Sequence, residues 1–153
     1  MNRTNQTIEA ILSLDLSQIK GKLIQEKGYK GEEVDAMELW YKRFLILHAK
    51  YPDQTHVPNE AIDVIWHQHI LDTRKYAEDC DLIFGEFVHH NPSYEKADGQ
   101  TLQNDFDQTN LFYRIEFGED CTQMFNSAKF ATMATCGDYS VNKSTCDKRP
   151  GKL

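Results

Sequence analysis

The chain has 153 residues, 40% of them hydrophobic and 27% charged, which is the usage of one globular domain and excludes wholesale disorder. Its 17 Lys and Arg stand against 24 Asp and Glu, a net charge of −7 that argues against gripping a nucleic-acid backbone. No apolar run approaches the roughly 20 residues of a membrane helix, and the opening MNRTNQTIEAILSLDL has no signal-peptide core. The expectation is a cytoplasmic protein whose partner is a small molecule or a protein, not nucleic acid or a membrane.

The periodicity predicts an all-α fold, a compact bundle of about five to six helices. Residues 6–13 form a short first helix. Asp15 or Ser17 caps a second, with Leu16, Ile19, Leu23 and Ile24 on one stripe and Gly28 as its stop. From Gly31 to Tyr51 runs a strongly amphipathic helix. Glu32 and Glu33 suit its positive N-terminal end, and Val34, Met37, Tyr41, Phe44 and Leu45 line its apolar face, widened by Trp40 and Leu47. Pro52 ends it, because the residue before a proline avoids helical geometry.

After a loop, Pro58-Asn59-Glu60 starts the next helix, which reaches Ile70. Asp72 or Thr73 either recaps a further helix or lies within one that continues to Phe84, where Gly85 interrupts. LIFGEFV, residues 82–88, is too short for periodicity to separate strand from helix. A polar surface segment leads to a last helix over 102–117, stopped by Gly118. Residues 126–153 carry five Lys or Arg and two Asp, net +3, leaving −10 for residues 1–125. The first 125 residues therefore read as the domain and 126–153 as a loosely ordered tail that lies on its acidic body.

Four of the six histidines, His67, His69, His89 and His90, fall within residues 63–92. Imidazole is the commonest neutral metal ligand. On an unbroken helix at about 100° per residue, Ile62, Ile65, Trp66, His69, Thr73, Tyr76, Ala77, Cys80, Ile83 and Phe84 share one stripe. His67 lies on the flank beside Asp63, one turn away, and points roughly 160° from His69, so the two cannot share an ion in a regular helix. His69 and Cys80 are about 16 Å apart along such a helix. A shared site needs a break, and Asp72-Thr73 is the place for it. Gly85 lets the chain turn back and return His89 and His90 toward the first turn. The candidate metal ligands are thus Asp63, His67, His69, His89 and His90, with Asp63 either a ligand or the group that orients His67. The expected ion is divalent: zinc first, iron or copper as alternatives. There is no His-Glu-x-x-His and no Cys-x-x-Cys, which sets aside the metalloprotease, zinc-ribbon and zinc-deaminase signatures. Cys80 reads as a buried small hydrophobe, and the four cysteines as reduced thiols.

The segment VPNEAIDVIWHQHILDTRKYAEDCDLIFGEFVHHNP resembles the glycine-rich domain-containing protein-like family. Val57, Pro58, Asp63, Trp66, His67, His69, Leu71, Asp72, Thr73, Tyr76, Asp79, Cys80, Phe84, Gly85, His89, His90 and Pro92 fit its pattern, and residues 41–47 with Phe106, Thr109, Phe112, Phe117 and Gly118 resemble its flanks. The likeness spans roughly residues 14–120. It implies a compact helical domain with a His-rich, metal-binding centre. The glycine-rich tail of larger members is missing, with Gly137 and Gly151 alone in the last 28 residues.

Three functions compete. The first is a metal-dependent enzyme with a His/Asp site. The second is a non-catalytic helical interaction domain whose histidines are structural. The third is metal storage or delivery.

Overall fold

A computed structural model describes residues 2–90 and 99–119, within which there are six helices and no strand. The predicted tail, 126–153, lies outside the described residues, as does most of the polar segment before the last helix.

Helix α1 (Arg3–Leu12) starts three residues before the predicted point. The Asn2 side chain accepts a hydrogen bond from the Thr4 N–H at 3.2 Å, so a cap sits upstream of the apolar pattern that marks the helix in sequence. Helix α2 (Ser17–Lys27) follows. Asp15, not Ser17, secures its start, accepting from the Ser17 N–H at 3.0 Å. Gly28 ends it at φ 73°, a left-handed conformation that costs a residue with a Cβ about 1–2 kcal/mol.

Helix α3 (Gly31–Lys50) buries every residue of its predicted stripe. Glu33 accepts from the Lys30 N–H at 2.8 Å and closes its first turn. Lys20 pairs with Asp35 at 2.7 Å and with Glu38 at 2.5 Å, clipping α2 to α3. Helix α4 (Glu60–Leu71) is buried without interruption from Ala61 to His67, so it is enclosed on all sides and not along one stripe. Asn59 caps it, accepting from the Ile62 N–H at 2.8 Å. The break anticipated at Asp72-Thr73 is present. Asp72 caps α5 (Thr73–Phe84), its carboxylate accepting from the Lys75 N–H at 3.3 Å. Gly85, at φ 74°, ends α5, so residues 82–84 are helix and not strand. Helix α6 (Gly99–Phe117) begins three residues before the predicted start and stops at Gly118.

The chain divides into two compact units. Unit 1 comprises residues 1–54 and 65–89; within it α1 packs on α3 and α5, and α2 packs on α3. Its buried side chains are apolar except for His67 and His69. Unit 2 comprises, among the described residues, 55–64, 90 and 99–119. Among these, Val57, Ala61, Ile62, Val64, Phe106 and Tyr113 are buried, and so are the polar residues His56, Asn59, Asp63, Thr109 and Asn110. Thr109 Oγ accepts from the Val57 N–H at 3.0 Å and donates to the Asp105 carbonyl at 2.8 Å, which joins the two segments of the unit.

Candidate functional site

The break at Asp72 decides what His69 meets. Along an unbroken helix, Asp79 would stand about 15 Å from His69. With the helix broken there, His69 Nε2 lies 2.8 Å from Asp79 Oδ2, and Nδ1 lies 2.8 Å from the Tyr41 hydroxyl of α3. The proton placement follows from the partners. An ionised carboxylate only accepts, so Nε2 carries the hydrogen and donates to Asp79. Burial pushes the His69 pKa down despite the Asp79 hydrogen bond, so the ring is neutral near pH 7. Its Nδ1 lone pair therefore accepts from the Tyr41 hydroxyl. Asp79 also pairs with Lys75 at 3.0 Å. His69 is 2% exposed and Tyr41 is fully buried; burial holds the Tyr41 pKa well above its ordinary range.

A second network runs beside the first. Trp66 Nε1 donates to the Tyr76 hydroxyl at 3.0 Å, and that hydroxyl donates to the Val88 carbonyl at 2.5 Å. Tyr76 also meets the His69 ring edge-on at a 4.9 Å centroid distance. Residues after Gly85 are thereby tied to α5. Cys80 is a free, buried thiol whose pKa burial raises, in keeping with an inert core residue. Thr73 and Ala77, expected on the core stripe, are exposed, because the break resets the phase of α5 relative to α4.

In unit 2, His90 Nε2 lies 2.7 Å from Asp63 Oδ1, with Asp63 0% exposed. The carboxylate accepts, so Nε2 donates and the ring is fixed in orientation. Of the five expected ligands, these two are brought together. His69 is taken up by Tyr41 and Asp79. His67 is buried on α4, and His89 is exposed, its ring 4.8 Å from that of Phe87. Among the described residues no three His, Cys, Asp or Glu side chains are grouped so that they could hold a metal ion. The described residues therefore do not by themselves make up the expected zinc site.

Tyr41 and Asp79 are the functional neighbours that sequence reasoning missed. Tyr41 stood in the apolar stripe of α3 and in the flanking segment 41–47, with nothing to tie it to His69. Asp79 had a signal in its spacing from Lys75, i and i+4, but nothing local connected either residue to His69.

The comparisons with known proteins correct one expectation. No curated protein and no solved structure matches the chain. The resemblance to the glycine-rich domain-containing protein-like family is overturned by a match to a different family model, which covers residues 9–131. The residues that carried the resemblance include the cap, turn and core groups of α4 and α5: Trp66, His69, Asp72, Tyr76, Cys80 and Gly85. With 123 of its 153 residues matched, the chain belongs to the UCP032817-like family.

Proposed function

We infer that this chain is a non-catalytic helical interaction domain whose central histidines brace the fold. The observation that carries the reading is the full use of His69: one ring nitrogen accepts from Tyr41, the other donates to Asp79, and the ring is buried. Such a histidine has no lone pair left for an ion, and no substrate reaches the buried Tyr41 hydroxyl. It joins three helices, α3, α4 and α5, by hydrogen bonds that apolar packing alone would not orient. The partner on this reading is a protein, not nucleic acid or a membrane. No helix among the described residues is long and apolar enough to cross a membrane. A reducing, cytoplasmic setting goes with the free thiol of Cys80.

One observation favours a second reading. A fully buried carboxylate holding an imidazole by Nε2, as Asp63 holds His90, is the arrangement that orients a metal-ligating histidine toward an ion at its other nitrogen. On that reading a divalent cation, zinc before iron or copper, binds through His90 with further donors, and metal-dependent catalysis follows as its use.

Elemental analysis of untagged protein separates the two. The brace reading expects no stoichiometric metal and a melting temperature that a chelator does not lower. One equivalent of metal per chain, lost in His90→Ala while the fold persists, would replace it with the second reading.

A further inference from the structure

The C-terminal end of α5 presents apolar side chains that are exposed among the described residues. Leu82, in the last turn, is 73% exposed, and Phe87, just beyond Gly85, is 47% exposed. Phe87 is held in place: its ring meets Tyr76 edge-on at 5.1 Å and lies 4.8 Å from that of His89. From Tyr76 to His90 the chain carries four carboxylates, Glu78, Asp79, Asp81 and Glu86, and no Lys or Arg. Asp79 is engaged by His69 and Lys75. Glu78, Asp81 and Glu86 are exposed and make no ion pair or side-chain hydrogen bond among the described residues. The Arg3 guanidinium reaches the Gly85 turn, 4.0 Å from where a Cβ there would stand, yet it pairs with none of them among the described residues.

The charge pattern works against the helix itself. The C-terminal end of a helix carries partial negative charge and favours cations. The last turn of α5 has no basic residue and does have Asp81. A carboxylate there costs stability, which the Arg3 guanidinium at the Gly85 turn eases in part without pairing with it among the described residues. A positively charged occupant would offset it.

Resting on the interaction-domain reading, we propose that this end of α5 docks a cationic amphipathic segment of a partner protein. Its apolar residues cover Leu82 and Phe87, and its Lys or Arg face Glu78, Asp81 and Glu86. The apolar contacts supply most of the affinity, since exposed ion pairs are individually worth little. The carboxylates steer encounter and make association salt-dependent.

The test titrates the isotope-labelled full chain with a short amphipathic Lys/Leu peptide and with a Lys-only peptide of equal charge, following amide chemical shifts. The expected result is shifts concentrated on residues 78–89, tighter binding of the Lys/Leu peptide, and about tenfold weaker binding to Leu82→Ser. Glu78→Gln/Glu86→Gln should flatten the salt dependence. Shifts spread evenly over the acidic surface, with Leu82→Ser binding as the parent does, would overturn the proposal. So would concentration-dependent self-association abolished by Leu82→Ser, because the occupant would then be a second copy. Failure here in a metal-free preparation leaves the interaction-domain reading standing, whereas stoichiometric metal removes that reading whatever the peptide does.

Discussion

His69 lies at the junction of three helices, and its chemistry sets the behaviour of the core of unit 1. Replacing it by alanine strands the buried Tyr41 hydroxyl, leaves the Asp79 carboxylate to Lys75 and opens a cavity. Each orphaned buried polar group costs about 1–3 kcal/mol. His69→Ala is expected to destabilise the protein by about 2–4 kcal/mol, read by urea unfolding. Tyr41→Phe keeps the ring packing and orphans only Nδ1, so about 1–2 kcal/mol is expected. The double variant should cost less than the sum of the singles, since both remove the same hydrogen bond. Strict additivity would mean that the 2.8 Å contact contributes nothing. The pH dependence follows from the lowered His69 pKa. The unfolded state then takes up a proton that the folded state resists. Stability is therefore fully present above the ordinary histidine pKa near 6.5 and falls as pH drops below it, by at most about 1.4 kcal/mol per pH unit for this one group. Comparing the parent with His69→Gln between pH 7 and pH 5 isolates the term, because the variant should lose that part of the slope.

At the scale of elements, two short features set the site: the cap at Asp72 and the turn at Gly85. Asp72→Ala removes the side-chain acceptor for the Lys75 N–H and is expected to cost about 1 kcal/mol. Gly85→Ala places a Cβ at φ 74° and is expected to cost about 1–2 kcal/mol, with the connection from Tyr76 to Val88 loosened as well. Thermal melts check both; a chain of this size shifts by about 2–4 °C per kcal/mol. These features were legible in the sequence because caps and glycine stops act over one turn and their signals are local. The break at Asp72 could be located, and with it the stripe of α3 and the burial of Cys80. The partners of His69 could not be read, since Tyr41 lies 28 residues away and the direction α5 takes after Asp72 has no sequence signature. The starts of α1 and α6 were read late for a different reason: both begin in polar residues, where apolar periodicity gives no signal. The phase of Thr73 and Ala77 failed because one helix stripe was continued through a break.

At the scale of the whole molecule, the two units differ in what they bury. Unit 1 has an apolar interior with a pair of histidines in it. Among its described residues unit 2 buries five polar groups, including the Asp63 carboxylate that holds His90. His90→Ala removes one hydrogen-bond partner of a fully buried carboxylate, so it is expected to destabilise unit 2 by about 1–3 kcal/mol even without any metal, read by hydrogen exchange at the start of α4. The net charge of −7 belongs to this scale too, as it favours cationic partners and disfavours phosphate backbones.

The most direct measurement is the ring-nitrogen NMR spectrum of His69 in untagged protein, before and after one equivalent of zinc. A neutral imidazole with its proton on Nε2, unchanged by the ion, is the predicted result. A spectrum showing the zinc bound at either ring nitrogen of His69 would contradict the brace and return the histidine cluster to metal chemistry.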